Sequence, residues 1–315
     1  MNKTLPDPSR PLRIGTRGSP LALAQAHETR DRLARAFDLP HEAFEIQVIK
    51  TTGDRVLDRP LKEIGGKGLF TREIEDAMLS GDIDIAVHSM KDMPVEQPKG
   101  LVLDTYLPRE DVRDAFVSPS VGGLSDLPEG AEVGTSSLRR KAQVLVAYPH
   151  LTVVEFRGNV QTRLKKLDDG VAACTFLAMA GLNRLGQSKV ARAAIEPEEM
   201  LPAVAQGAIG IERREGDARV ADMLAAIHDH ATGERLAAER AFLATLDGSC
   251  ETPIAALAEV TNGTLRLRGE ILRPDGSESL KDDASAPVED GAKLGADMAR
   301  RLLDQAGPGF FDWRS

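Results

Sequence analysis

Aromatic side chains are scarce in this chain. Phe, Trp and Tyr make up 4% of its 315 residues, too few for the stacking platforms on which proteins hold single-stranded nucleic acid. Basic charge is not in excess either: 40 Lys and Arg stand against 49 Asp and Glu, a formal net charge of −9. A chain of that sign is a poor general partner for DNA, RNA or an anionic membrane. Cysteine is nearly absent. The sequence has 2, Cys174 and Cys250, in neither a CxxC nor a metal-ligand spacing, so a disulfide framework is not expected and a reducing compartment is. Long apolar runs are missing too. The longest, residues 171–182, falls short of the ~20 residues of a membrane-spanning helix. The opening MNKTLPDPSRPL lacks the apolar centre of a secretory signal. The expectation is a cytoplasmic protein with no metal, no nucleic-acid partner and no membrane partner.

What the chain does have is apolar material, 42% of its residues, enough for two or three cores at ~100–150 residues per domain. The pattern alternates strands and helices. A strand at 12–15 leads to Ser19-Pro20, a capping residue followed by a first-turn proline, and a helix to about residue 39. A strand at 44–51, a helix at 69–80 stopped by Gly81 and an apolar strand at 83–87 follow. After the proline-rich DMPVEQPKG a second series begins. It has strands at 114–118, 131–134 and 152–156 and helices at 138–148 and from 160, and residues 171–185 repeat the strand-to-helix pattern. LPAVAQGAIGIERRE reads as a strand returning to the first series. Beyond about residue 230 come a helix at 233–246, two strands (254–260 and 265–271) around the hairpin signal TNGT, a turn at RPDGS and a helix at 288–305. The expected fold is α/β: residues 11–107 with 206–226 as one domain, 112–202 as a second, a cleft between them, and a small α+β domain at 230–315.

Arginine recurs where strands turn into helices. Arg17 lies in LRIGTRGSP beside Ser19, Arg139 and Arg140 in VGTSSLRRKA beside Ser137, and Arg157 and Arg163 in VVEFRGNVQTR. In open α/β sheets ligands bind just past the carboxyl ends of the strands, where exposed backbone N–H groups and guanidinium forks suit carboxylates. Cations in the first turn of a helix oppose its dipole, so Arg139 and Arg140 read as anion ligands rather than as stabilisers of the fold. His88, Ser89, Lys91 and Asp92 end the apolar strand in HSMKDMP; a carboxylate there can stabilise a developing cation or accept pyrrole-type N–H bonds. GGKGLF, with Lys67, allows close backbone approach to a ligand but is not a P-loop. Cys250 lies in the small-residue turn DGSCETP, where a thiol can serve as nucleophile or attachment point.

Together these segments resemble the porphobilinogen deaminases (hydroxymethylbilane synthases). The likeness runs from LRIGTRGSPLALAQA through GGKGLFTREIE, AVHSMKDMP, VGTSSLRR, FRGNVQTRLKKLDDG, LAMAGLNRLG and PAVAQGAIGIE to LDGSCETPIAA. The resemblance implies two domains like those of type II periplasmic binding proteins plus a third small domain. It implies a monomeric transferase of tetrapyrrole and heme synthesis that condenses four porphobilinogen molecules, losing ammonia each time, on a covalent dipyrromethane cofactor. Cys250 matches the cysteine that holds that cofactor by a thioether, and Asp92 the carboxylate that contacts pyrrole nitrogens. Arg17, Ser19, Arg139, Arg140, Arg157, Arg163 and Arg184 match residues that hold acetate and propionate groups. Ser89, Lys91, Ser137, Lys67 and Phe70 fall in the same motifs. Glu63, beside Lys62, stands where some relatives carry lysine, and GSCET stands where others read GGCQ. The rival reading is an anion-binding module of the periplasmic-binding-protein type, which needs neither Cys250 nor a third domain.

Overall fold

The structure, a computed structural model, describes residues 5–55, 71–248 and 252–314. The chain divides into two compact units, Met1–Glu110 with Ala208–Gly233, and Asp111–Gly207 with Glu234–Ser315.

The first unit is built on β1 (Leu12–Thr16), β2 (Phe44–Val48), β3 (Ile85–Ser89), β4 (Leu101–Tyr106) and β10 (Ile209–Arg214). They lie in the order β2-β1-β3-β10-β4. β1 runs parallel to β2 and β3, and β10 antiparallel to β3 and β4. β3 is apolar because both its faces are covered. Ile85 and Val87 join Leu12, Ile14, Ala26 and Leu33, while Ala86 meets Ile74, Met78 and Ile83. The helix Pro20–Phe37 starts as its sequence suggests, with Ser19 Oγ accepting from Ala22 N, and ends at Asp38 in the left-handed region, φ 52. Gly81 caps Arg72–Ser80 in the same region, φ 83.

The second unit repeats the plan. β5 (Asp114–Val117), β6 (Glu132–Gly134), β7 (Thr152–Val154), β8 (Cys174–Ala178) and β9 (Ala193–Ile195) lie in the order β7-β6-β8-β5-β9. β6 is parallel to β7 and β8, and β5 is antiparallel to β8 and β9. In each sheet the strand set antiparallel to the third parallel one is delivered by the chain arriving from the other unit: β5 in the second, β10 in the first. An antiparallel neighbour needs no crossover helix, so that slot suits a newly arriving segment. Cys174 packs among Phe116, Val133 and Phe176, and burial pushes its thiol up to about 12. It is a core residue, as its place in an apolar run suggests.

The C-terminal part of this unit is an antiparallel sheet, β11 (Ile254–Thr261), β12 (Thr264–Leu272) and β13 (Ser279–Pro287), with the helices His230–Thr245 and Gly291–Ala306. Asn262 and Gly263 both take positive φ, 50 and 75, as a two-residue hairpin turn requires. Gly295 is needed for close helix approach, since a Cβ there would strike the Ala238 carbonyl.

Elements that the sequence expectation lacked include β4, β9, β13 and the helix Ala218–Ala225. β13 reads SLKDDASAP, charged and small, yet it pairs residue by residue with β12 from Thr264↔Pro287 to Leu272↔Ser279. Its alternating half-exposed and exposed positions mark an edge strand held by its ladder rather than by burial.

Candidate functional site

Because β1 and β3 are parallel neighbours, the turns that leave them open at the same edge of the sheet. Arg17 and Ser19 follow β1. Ser89 closes β3, and its Oγ lies 2.8 Å from Gln25 Nε2 and 3.1 Å from Gln25 Oε1. Gln25 is buried on the helix that Ser19 caps, so one hydrogen-bonded pair ties the start of that helix to the end of β3. The turn Met90–Asp92 is fixed through its backbone: Met90 N donates to Ala208 O at 3.0 Å and Met93 N to Met90 O at 3.2 Å. Lys91 and Asp92 are half-buried on it. The Asp92 carboxylate makes no hydrogen bond or ion pair with any described residue. His88, just before Ser89 on β3, is buried, its Nε2 3.2 Å from Glu212 Oε2 on β10.

The second unit gathers its motifs by the same geometry, since β6, β7 and β8 are parallel. After β6, Ser136 Oγ accepts from Phe156 N at 3.2 Å, which joins this turn to the one after β7. Ser137 caps the helix Leu138–Ala147, accepting from Arg140 N at 3.4 Å. After β7, Gly158 takes φ 126, a conformation side chains avoid, and Asn159 caps the helix Val160–Asp168. Arg163 Nε donates to Gly158 O at 2.9 Å. Arg157 Nη1 is buried and has no hydrogen-bond partner among the described residues. After β8 comes the helix Met179–Arg184, and Arg184 Nη2 donates to Gly207 O at 3.2 Å.

Arg139 and Arg140 correct the helix-dipole argument. Both are buried, at 4% and 5% exposure, around a carboxylate that is fully enclosed, Asp114 at 0%. Arg140 Nε and Nη2 donate to Asp114 Oδ1 at 3.1 and 2.7 Å, and Arg140 Nη1 donates to Phe176 O at 2.8 Å. Arg139 Nη1 lies 2.8 Å from Asp114 Oδ2. That contact is a charge pair without hydrogen-bond alignment, because Nη1 donates to Gln143 Oε1 and Leu201 O, both at 3.0 Å. The fold therefore does use these two cations for itself. One donor remains: Arg139 Nε is buried with no partner among the described residues.

Burial by itself would raise the Asp114 carboxyl, but Arg139 and Arg140 hold it well below the usual carboxylate range. A depressed carboxyl contributes stability above its unfolded value and loses it only as pH falls through the folded one. Asp114 therefore stays an anion across the neutral range. Asp114→Asn should leave two buried guanidiniums uncompensated and lower unfolding stability by about 3–5 kcal/mol, measured by urea denaturation. A loss under ~1 kcal/mol would show that the pairing is dispensable.

Sequence reasoning passed over Gln25, Asp114, Gln143 and Gln206, whose Nε2 also reaches Asp114 Oδ1 at 3.0 Å. A lone acid in the apolar segment DAFV was the one available signal. Lys67, Phe70 and Cys250, with Lys62 and Glu63, lie outside the described residues.

Two family models cover most of the chain. Residues 12–222 match "Porphobilinogen deaminase, dipyromethane cofactor binding domain", and residues 234–304 match "Porphobilinogen deaminase, C-terminal domain". The chain belongs to the porphobilinogen deaminase family. A porphobilinogen deaminase from Paracoccus denitrificans is 69% identical over 309 residues, 98% of this chain and 99% of that one. A chloroplastic porphobilinogen deaminase from Pisum sativum is 54% identical over 307 residues, 96% of this chain and 83% of that one. Among solved structures, a YaeC-family lipoprotein from Enterococcus faecalis is 18% identical, with a TM-score of 0.41 over 69% of this chain and 91% of that one. A score that low has no bearing on function.

The residues present suit the group that the porphobilinogen deaminase family model names. A dipyrromethane bears several carboxylates and two pyrrole N–H donors. Arg157 Nη1 and Arg139 Nε are buried donors without partners among the described residues, and a buried unpaired donor is costly unless something accepts from it. Asp92 offers an acceptor that no described residue uses.

Proposed function

We propose that this chain condenses four porphobilinogen molecules head to tail into hydroxymethylbilane, with Asp92 as the catalytic carboxylate and Cys250 as the thioether anchor of a dipyrromethane cofactor. The observation that carries the reading is the 69% identity with a curated porphobilinogen deaminase along nearly the whole chain. When bound, the cofactor would supply the terminal pyrrole carbon to which the methylene carbon of the first porphobilinogen is joined; each later one joins the ring added before it, and water cleaves the finished tetrapyrrole from the cofactor. In each addition the aminomethyl C–N bond breaks, ammonia leaves, a C–C bond forms and the displaced pyrrole hydrogen departs as a proton.

The charge that develops is positive, on substrate that has lost ammonia. Asp92 stabilises that charge by accepting pyrrole N–H bonds, and its carboxylate oxygens can take up the proton and hand it on. It is preorganised: the backbone of Met90–Asp92 is pinned to Ala208, and no described residue competes for its oxygens. The arginines serve the acids. Guanidinium forks bind carboxylates in pairs and never lose their charge in a partly dry site. Arg17 and Ser19 on one unit, and Arg157, Arg163 and Arg184 on the other, are assigned to substrate and chain carboxylates, with Lys67 and Phe70 from the glycine-rich segment. Ser89, Lys91, Ser137, Arg139, Arg140 and Arg163 are assigned to the cofactor. All five strands that lead to these turns have parallel neighbours among them, β1 with β3 and β6 with β7 and β8.

No helix among the described residues is long and apolar enough to cross a membrane. A cytoplasmic monomer that works on a small molecule is part of the same proposal, and the net charge of −9 disfavours nucleic acid and anionic membranes as partners. The test is intact mass joined to thiol counting. Of the 2 cysteines, only Cys174 should react with a thiol reagent after denaturation, and the protein should weigh two pyrrole units more than its sequence. Two reactive thiols and an unmodified mass, unchanged after incubation with porphobilinogen, would favour the anion-binding reading.

A further inference from the structure

Arg139 is held from behind by buried hydrogen bonds that end in the C-terminal sheet. Its Nη1 donates to Gln143 Oε1 and Leu201 O, each at 3.0 Å. Gln143 Nε2 donates to Leu201 O at 3.0 Å and to Glu270 Oε2 at 2.7 Å. Glu270 stands on β12 and is only 2% exposed. Its other oxygen takes a hydrogen bond from Ser279 Oγ at 2.7 Å and lies 3.4 Å from Lys281 Nζ. The turn beyond β12 packs on the same helix, since a Cβ at Gly276 would stand 2.6 Å from Leu145 Cβ.

The amide of Gln143 has a donor end and an acceptor end of nearly the same shape, so its neighbours decide which way it faces. Leu201 O and the Glu270 carboxylate can only accept. Together they hold the NH2 group, which leaves the amide oxygen for Arg139. Without Glu270, the amide could turn and set its NH2 against the guanidinium, donor against donor. Arg139 would then lose one of the two bonds that fix Nη1, and its Nε, which has no partner among the described residues, would lose its fixed orientation.

We propose that Glu270 is a positioning residue for the cofactor: by orienting Gln143 it holds Arg139 in the pose that receives a dipyrromethane carboxylate. The inference rests on the assignment of Arg139 to the cofactor. A single buried chain then sets the TSSLRR turn against the C-terminal sheet.

The test is the rate at which full-length apoprotein, produced without porphobilinogen, gains the two-pyrrole mass when porphobilinogen is added. Glu270→Leu and Gln143→Met should each slow loading about tenfold, the scale of a small misplacement at a binding site. The double variant should be no slower than either alone, because both break one chain. Glu270→Gln keeps an acceptor for Gln143 and an NH2 for Ser279, and should load within about twofold of the parent. A purely structural Glu270 would lower the melting temperature but leave the loading rate of the folded protein unchanged. That result, or multiplying effects in the double variant, would overturn the proposal. If Glu270→Leu does not fold, Gln143→Met decides the question from the other end of the contact. Arg139→Gln separates the two layers. If it loads at the parental rate, the assignment of Arg139 fails; if it is slow while folded Gln143→Met is not, the positioning role fails. An unmodified parent protein would instead remove the cofactor reading itself.

Discussion

Asp92→Asn is expected to cut turnover by about 10³-fold, within the ~10²–10⁴-fold range of a positioned acid–base group or an electrostatic stabiliser, and to leave the melting temperature almost unmoved. The two halves of that expectation come from one observation. The Asp92 carboxylate has no hydrogen bond or ion pair among the described residues, so the fold draws nothing measurable from its charge. A substitution that breaks no internal contact usually shifts stability by no more than ~0.5 kcal/mol. The amide keeps the size of the side chain and one acceptor oxygen. It loses the negative charge that opposes the cation formed when ammonia leaves, and it loses the ability to take a proton. The measurement is porphobilinogen consumption by variant protein whose cofactor content has been checked by intact mass, beside a thermal melt. A parental rate at full cofactor content would take Asp92 out of the mechanism. A slow rate with a melt lowered as for Asp114→Asn would place its role in folding instead.

The contrast between Asp92 and Asp114 also marks what could be read from the sequence. Both are acids at the ends of buried strands. HSMKDMP could be read because β3 is apolar on both faces and its last residues must emerge at a sheet edge. The capped turn after β1 was legible for the same local reason, Ser19 accepting from a backbone N–H three residues on; Ser137 and Asn159 act likewise after β6 and β7. Asp114 was not legible. Its partners are 26 residues away in the case of Arg140, and no local pattern announces a pairing at that range. The dipole argument for Arg139 and Arg140 went astray there, because it weighed the helix end alone and not the carboxylate that the neighbouring sheet places beneath it. β13 was missed for a related reason: a polar edge strand takes its stability from the partner's ladder, which is a property of two segments and not of one. Strands, turns and caps whose physics is local were legible, and pairings that depend on a distant counter-charge were not.

Cys250→Ser is expected to give protein of unmodified mass and a loss of turnover on the order of 10³-fold or more, the scale seen when a covalent group is removed from catalysis. The substitution changes one atom. A serine hydroxyl is far less nucleophilic than a thiolate, so the bond to the cofactor does not form, while the size of the side chain is nearly kept. The described residues just before it have little room to adapt. Asp247 already takes φ 47, and a Cβ on Gly248 would lie 2.5 Å from Leu243 and 2.6 Å from Ile254, so the chain leaves the helix His230–Thr245 by a fixed route. A parental melting temperature would therefore separate loss of attachment from loss of fold. The size of the effect follows from what attachment does. A tethered acceptor meets each activated porphobilinogen as an intramolecular partner, with effective concentrations that can reach ~10⁵ M or more for well-oriented groups. A dipyrromethane that only diffuses in, held by the same arginines, gains their binding energy but must be recaptured after every dissociation. If Cys250→Ser loads and turns over like the parent, the arginines alone suffice and the thioether is not the anchor.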